Sequence, residues 1–431
     1  MTIVPNVLKK IFGMHLLWMA SVGFGLRLIW TFSPLGAMYG RDMEPYHALA
    51  LDLWRHGWWP GSGGIVNTYW SPLTVTLLSP LYGVNPDSDV LPRMVYALLA
   101  SLVPVFISMT TRLLVAGSHV ALLAGWLSVI LPANLLYAGS LSSEVPSNLF
   151  AVMALWLLVK GVAPGLTPRS SGWLAFASGL SLGCCILSRA GNVVLIAVFC
   201  IVTVIFLRKK GISAGGVLKT SVLLLLGVII LTLPRAIYVS RVEGAPQLTQ
   251  SGGAYNLYFG TNEWTEGVNR DEPAAKEHWR VVVEEITRLP KVEQELEYLH
   301  RSWIYVKDHL GEYVIRKTIQ TFLIRYSGWA GTQGFTEGGK RLLFIAGFIV
   351  LNSTTLLWVL AVFLLLILRS VPKEIKLLIV GWFLVTWLSV LRFPSPNAFR
   401  YGMALDNVAC IAVAMVFGTL YLPKKVDRGT V

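Results

Sequence analysis

Tyr137-Ala-Gly-Ser-Leu-Ser-Ser-Glu144-Val-Pro146 is a short polar stretch between two long apolar runs. Its glutamate is the only acidic residue between Asp89 and Glu243. Carboxylates are costly near a bilayer, so one that persists there is a candidate functional residue. The neighbouring runs reach the roughly 20 apolar residues that cross a membrane. The stretch therefore predicts a functional carboxylate at one end of a membrane-spanning helical bundle.

The composition is that of a polytopic membrane protein. Of the 431 residues, 55% are hydrophobic and 14% are charged, whereas soluble domains carry roughly a quarter charged residues. Helices satisfy their own backbone hydrogen bonds in lipid, so we expect an all-α bundle. The net charge of +13 does not indicate nucleic acid, because much of the lysine and arginine lies at the ends of apolar runs, where orientation signals belong.

The apolar runs predict about ten transmembrane helices with both termini in the cytoplasm. This arrangement puts the basic ends of the runs on one side of the membrane, as the positive-inside rule requires. The predicted spans are 11–32, 92–114, 117–137, 144–162, 172–189, 192–208, 217–239, 342–368, 375–391 and 400–421.

The opposite side then receives the loop of residues 33–91, the turn around Glu144 and the stretch 240–341. Inside the first loop we expect two interfacial helices, at about 43–57 and 70–82, with tryptophans suited to the headgroup zone. The stretch 240–341 holds most of the acidic residues. Its middle, 272–307, predicts one or two surface helices, and 312–329 predicts an amphipathic helix at the interface.

A series of short motifs follows the order of these spans. They are Asp42 followed by Tyr46-x3-Ala50-x2-Leu53-x3-Gly57, Arg93, Ser142-Ser143-Glu144, Leu187-Ser-Arg189, the run from Pro234-Arg235 to Gly244, Ser251-Gly-Gly-Ala-Tyr-Asn256 and, more weakly, Arg400-Tyr401. This series resembles the GT-C glycosyltransferases, in the branch that contains the protein O-mannosyltransferases and the lipid A aminoarabinose transferases. The resemblance covers about residues 10–265.

The resemblance implies a GT-C fold and an inverting transfer of one sugar from a polyprenyl-phosphate donor on the outer face of the membrane. Residues 1–239 would form the catalytic transmembrane module, with seven spans and the two interfacial helices. Residues 240–341 would form an extracytoplasmic loop region, and residues 342–431 a variable module of three spans. The acceptor is a glycan, a lipid or a protein.

The acidic residues are the candidate catalytic groups. In the family the catalytic carboxylate opens the first outer loop, which here is Asp42. A low-dielectric wall would raise its pKa towards the working pH of a general base. Glu44 is an alternative base, and Glu144 would bind acceptor hydroxyls or assist Asp42. Helix capping is the alternative explanation for Asp42, and a favourable interaction with the helix dipole is the alternative for the two glutamates.

The arginines predicted on the outer face are candidate ligands of the donor phosphate, because a guanidinium donates two parallel hydrogen bonds. Each could instead extend to lipid headgroups. The phosphate candidates are Arg93, Arg189, Arg235, Arg241 and Arg400, with Arg189 and Arg235 preferred. The candidate substrate contacts are Tyr46, His47, His56 and Asn256.

No cofactor is expected, because the branch that the chain resembles generally works without a catalytic metal. Asp42, Glu44 and Glu144 are nevertheless oxygen ligands of the kind that Mg²⁺ or Mn²⁺ prefers. Two other functions stay open: a transporter or flippase of lipid-linked substrates, and a polymerase or ligase that moves whole glycans. The compact chain suggests a bacterial inner membrane, with the site facing the periplasm or exterior.

Overall fold

The computed structural model describes residues 3–33, 43–57, 66–115, 117–163, 167–262, 273–322, 341–391 and 403–421. No β-strand occurs in these ranges. The helices of the bundle are α1 (Ile3–Thr31), α4 (Val90–Leu114), α5 (Ser118–Val129), α6 (Pro132–Leu136), α7 (Glu144–Gly161), α8 (Pro168–Ser188), α9 (Leu195–Lys209), α10 (Ala214–Glu243), α15 (Arg341–Ile367), α16 (Lys373–Leu391) and α17 (Met403–Tyr421). The others are α2 (Met43–His56), α3 (Pro72–Val84), α11 (Gly253–Gly260), α12 (Pro273–Thr287), α13 (Lys291–Asp308) and α14 (Leu310–Phe322).

The chain is an integral membrane protein with the all-α architecture that its composition predicts. Among the described residues, five helical segments are long and apolar enough to cross a bilayer: Ile11–Thr31, Val90–Leu114, Ser170–Ser188, Ala190–Lys209 and Ala214–Glu243. Shorter apolar helices accompany them in both halves of the chain. The total of ten spans stays a prediction.

Local sequence signals explain where several helices begin and end. Ser71 caps α3 by accepting a hydrogen bond from the Thr74 amide, and Thr167 caps α8 in the same way. Proline takes the first helical position in both, where its missing N–H costs nothing. At the far end of α10, Gly244 adopts the left-handed conformation (φ 68°) that commonly terminates a helix.

The third predicted span, 117–137, is not one continuous helix. Helix α5 ends at Val129, and the five-residue α6 begins at Pro132. Leu131 between them has ψ of 118°, because a residue before proline avoids the helical region. Proline also lacks the N–H that a continuous helix needs. The break lets residues 137–143 turn back towards the bundle.

Predicted spans two to seven and the last three share one hydrophobic core. Leu182 of α8, Phe199 of α9, Trp382 of α16 and Val413 of α17 all belong to it. The rings of Phe199 and Trp382 lie 6.0 Å apart. The predicted C-terminal module is therefore packed directly against the helices that precede it.

Two glycines set the distance between α8 and α10. A Cβ at Gly179 would lie 2.0 Å from Leu224 O, and one at Gly227 would lie 2.4 Å from Phe176 O. Small residues allow membrane helices to approach this closely. The contact fixes the height of α8 in the bundle, and with it the position of the residue that follows its last turn.

The region after α10 forms a small helical layer outside the bundle. Tyr258 of α11, Trp279 of α12 and Tyr298 of α13 are packed together, with ring centroids 5.8 Å apart for both Tyr258–Trp279 and Tyr258–Tyr298. The sequence pattern of 272–307 thus corresponds to two helices, α12 and α13. Helix α14 (Leu310–Phe322) covers residues 312–322 of the predicted interfacial helix 312–329, and residues 323–340 lie outside the described ranges.

Candidate functional site

The candidate site is built on an ion pair between the ends of two helices. Glu144 is the first residue of α7, and Arg189 directly follows α8. Arg189 Nη1 donates a hydrogen bond to Glu144 Oε1 over 2.8 Å; the glutamate side chain is fully buried and that of the arginine is 12% exposed. A carboxylate at a helix N-terminus and a cation at a C-terminus both suit the helix dipole. Because the start of α7 meets the end of α8, the two helices run antiparallel.

The backbone around Arg189 is held by two other segments, one at Ser71 and one at Thr249-Gln250. Ser71 Oγ donates to Leu187 O over 3.2 Å, and Thr249 Oγ1 donates to Ile186 O over 3.4 Å. The amide of Ala190 donates to Gln250 Oε1 over 3.4 Å. These bonds hold the backbone that carries Arg189, and the ion pair with Glu144 orients its guanidinium, in the way that a binding site is supported by its surroundings.

A cavity of about 820 Å³ lies beside Arg189. It is bounded by α2, the segment before α3, the end of α8, the segment after α10, and helices α11 and α13. Three predicted site residues line it: Tyr46, Arg189 and Asn256. Glu144 is not among the lining residues, and its carboxylate contacts Arg189, which is one of them.

A second polar layer behind the ion pair was not predicted from the sequence. Asn192 Nδ2 donates to Ser147 Oγ over 2.7 Å and contacts Cys185 Sγ at 3.2 Å. These residues join the first turns of α7 to the last turn of α8 and the 3-10 helix Ala190–Val194. The sequence feature that could have predicted this layer is the occurrence of two polar residues, Ser147 and Asn192, in largely apolar runs.

Aromatic residues form one wall of the cavity. Trp70 makes edge-on contacts with Tyr46 (5.2 Å between centroids) and Tyr69 (5.3 Å). Gly252, at φ 77°, lies directly under Tyr69, because a Cβ there would be 2.7 Å from the ring. Ser251 N donates to Thr68 O over 2.8 Å. The first outer loop and the segment after α10 therefore build this wall together.

Arg235, one of the two preferred phosphate ligands, has a different environment from Arg189. Its Nη2 donates to Asn67 O over 2.6 Å and its Nε donates to Thr249 O over 3.2 Å. It is not among the residues that line the cavity. The guanidinium connects the two segments that frame the cavity, and its role as a phosphate ligand stays a prediction.

Replacing Arg235 by methionine is expected to lower the melting temperature of the detergent-solubilised protein. The change removes two hydrogen bonds from a charged donor, at about 1.5–3 kcal/mol each. If Arg235 only connects the two segments that frame the cavity, the affinity for a polyprenyl phosphate, measured below the melting temperature, stays unchanged. An unaltered melting temperature combined with lost lipid binding would show instead that Arg235 contacts the phosphate.

Two further arginine candidates lie away from Arg189. Arg241 borders a separate shallow groove of about 490 Å³ with Leu233, Ile237 and Pro246. That groove shares Ala245 and Pro246 with the larger cavity. Arg93 lies 3.9 Å from Asp89. Neither arginine lines the main cavity.

The remaining candidates on α2 also lie outside the cavity lining. His47 donates from Nε2 to Pro86 O over 3.1 Å and stacks on Tyr82 at 4.2 Å. His56 Nδ1 lies 2.9 Å from Asp52 Oδ1, and Glu44 is exposed. Burial and a hydrogen bond to Asp89 raise the pKa of Tyr82, so it remains a protonated donor that joins the end of α3 to the start of α4.

Asp42 and Arg400 lie outside the described residues. Among those that the structure describes, no three histidine, cysteine, aspartate or glutamate side chains come close enough to hold a metal ion. The expected independence of a metal therefore stays a prediction.

No protein-family model and no curated protein sequence matches the chain. The archaeal oligosaccharyltransferase AglB from Archaeoglobus fulgidus, in complex with an inhibitory peptide and a dolichol-phosphate, is similar in structure. It gives a TM-score of 0.57 at 14% identity, over 96% of this chain and 51% of that one. An oligosaccharyltransferase from the same organism, tethered with an acceptor peptide, gives a TM-score of 0.56 at 14% identity, over 96% of this chain and 50% of that one.

ArnT from Cupriavidus metallidurans bound to undecaprenyl phosphate gives a lower TM-score of 0.43 at 13% identity, over 94% of this chain and 77% of that one. The chain spans about half the length of the archaeal enzyme. The superposition on that enzyme extends over nearly all of this chain. The chain therefore has the fold of the GT-C membrane glycosyltransferases, as the order of its motifs predicts.

Proposed function

We propose that the chain is an inverting glycosyltransferase of the membrane that moves one sugar from a polyprenyl-phosphate donor to a glycan, lipid or protein acceptor. The observation that carries the proposal is the environment of Arg189. Its guanidinium lines a cavity of about 820 Å³ and is fixed by the buried Glu144. A transfer of this kind releases a lipid phosphate, and a positioned guanidinium is well suited to receive its charge.

The reaction is a single displacement at the anomeric carbon of the donor sugar. A base removes the proton from the acceptor hydroxyl, whose oxygen forms a bond to the anomeric carbon from the face opposite the phosphate. The bond between that carbon and the phosphate oxygen breaks, and its electron pair leaves with the polyprenyl phosphate. Arg189 stabilises the leaving phosphate, and Glu144 keeps the guanidinium in place.

Asp42 is the base in this proposal. It directly precedes α2, whose Tyr46 lines the cavity one turn later. Chain connectivity and the family resemblance support this assignment. Glu44, which is exposed and lies outside the lining, fits the role less well.

Two findings support a lipid-linked donor. The archaeal enzyme with the same fold was solved with a dolichol-phosphate. In this chain the groove beside Arg241 has apolar walls and meets the cavity at Ala245 and Pro246. A phosphate beside Arg189 would thus have an apolar path for its tail.

We place the protein in a bacterial inner membrane, with the cavity facing the periplasm. The ends predicted to be cytoplasmic lie far along the helices from the cavity. There Arg112 stacks over Phe12 at 3.9 Å, and Lys209 pairs with Glu374. The positive-inside rule assigns these basic ends to the cytoplasm.

The proposal is tested with purified protein in liposomes that contain polyprenyl-phosphate sugars labelled in the sugar. Membrane lipid, glycan and protein fractions serve as acceptors. We expect polyprenyl phosphate to be released and the label to appear in one acceptor fraction. Absence of transfer from every donor tested, with labelled lipid only crossing the bilayer, would favour a flippase instead.

The mass of the transferred group separates the proposal from its nearest alternative. Addition of one sugar agrees with a monosaccharide transferase. Addition of a preassembled glycan would identify a glycan ligase, which uses the same class of donor. The archaeal neighbour, an oligosaccharyltransferase, has an activity of this kind.

A further inference from the structure

Helix α13 presents a nearly apolar face to the cavity. Val292, Glu295, Leu296 and Leu299 line it, and their spacing of three and four residues puts them on one side of a helix. Glu295 is the only carboxylate in the described lining. Arg189 is contributed by the bundle, whereas Glu295 is contributed by the outer helical layer.

The other glutamates of α13 have different surroundings. Glu297 Oε1 accepts a hydrogen bond from Arg301 Nε over 2.6 Å, and Glu293 is exposed to solvent. Glu295 is partly buried and makes no hydrogen bond or ion pair with the side chains that the structure describes. Its carboxylate is therefore available to a molecule in the cavity.

The orientation of Glu295 depends on the aromatic cluster under α13. Tyr298, three residues further along, is buried, and its ring lies 5.6 Å from that of Tyr255 and 5.8 Å from that of Tyr258. These contacts hold one face of α13 against α11. The neighbouring face, with Glu295, is thereby turned towards the cavity.

We infer that Glu295 binds the acceptor by accepting a hydrogen bond from one of its hydroxyl or ammonium groups. The inference rests on the proposed function, in which the cavity holds two substrates. An ionised carboxylate only accepts hydrogen bonds and repels a phosphate, so it does not suit the phosphate end of the donor. Hydroxyl and ammonium groups donate, and a hydroxyl is the group that a glycosyl acceptor must bring to the reaction.

The test compares Glu295→Gln with Glu293→Gln, a matched change on the same helix outside the cavity lining. The probes are the labelled donor and the acceptor fraction that the wild-type protein glycosylates. Losing a hydrogen bond to a charged group should raise the acceptor KM of Glu295→Gln about 10- to 100-fold. We expect its kcat and its affinity for undecaprenyl phosphate to stay at the wild-type values. Glu293→Gln should match the wild type throughout.

A conservative variant controls for structural damage, since Glu295→Asp should recover part of the lost acceptor affinity. An unchanged acceptor KM in Glu295→Gln beside an active wild type would overturn this inference alone. A fall in kcat at constant KM would also overturn it, because it would indicate a role in proton transfer. A wild type that transfers no sugar would overturn the proposed function as well.

Discussion

Replacing Arg189 by methionine is expected to reduce kcat for sugar transfer by about 10²–10³-fold, the usual effect of removing one positioned donor to a developing negative charge. Methionine keeps much of the side-chain length but cannot donate to the leaving phosphate. Initial rates at saturating donor and acceptor measure the effect. Arg208→Met, on the exposed end of α9, is the matched control and should retain full activity.

Loss of Arg189 also affects folding, and this effect must be separated from catalysis. The single change leaves Glu144 buried without its cation, which should cost about 3–5 kcal/mol of stability. Replacing Glu144 and Arg189 together by methionine removes both charges, and apolar replacements of a whole buried pair are often neutral. We expect the double variant to melt near the wild-type temperature and still be inactive. Normal turnover by this folded protein would exclude Arg189 from the reaction.

Replacing Asp42 by asparagine is expected to lower kcat by about 10²–10⁴-fold, the range that a positioned general base contributes. Asparagine preserves the shape and the helix-capping capacity of aspartate, so the melting temperature should not change. This variant therefore distinguishes the base from a helix cap. Asp87→Asn, an exposed change outside α2, is the control.

The pH dependence gives a second measurement on Asp42. A base must be deprotonated to work, so wild-type kcat/KM should fall as the pH is lowered through the pKa of that carboxyl. The residual activity of Asp42→Asn should lack this fall. Wild-type turnover by a folded Asp42→Asn protein would return the role of base to another residue, with Glu44 next in order.

The length of the apolar runs predicted most helices of the bundle, because a segment that crosses lipid must satisfy its own backbone hydrogen bonds and does so as a helix. It did not predict the break at Pro132, because the run 117–137 contains enough apolar residues for one span. The glycine contact between Gly179 and Gly227 was also missed. A glycine in an apolar run gives no indication of which helix lies against it.

At the site, the sequence indicated which residues are candidates but not which residues they contact. The sequence predicted that Glu144 and one or more arginines would be functional candidates, because charges are rare in this part of the chain. It treated Arg189 and Arg235 alike. The structure separates them: Arg189 lines the cavity beside Glu144, whereas Arg235 holds two backbone carbonyls.

By itself the sequence determined that this protein is a helical membrane bundle in which charged residues are rare within the apolar runs, since bilayer thickness and the cost of charge in lipid act on each segment separately. Only the tertiary structure decided that the start of α7 meets the end of α8, and that Glu295 of a distant outer helix shares their cavity. Those pairings depend on packing between segments far apart in the chain, and no local pattern encodes them.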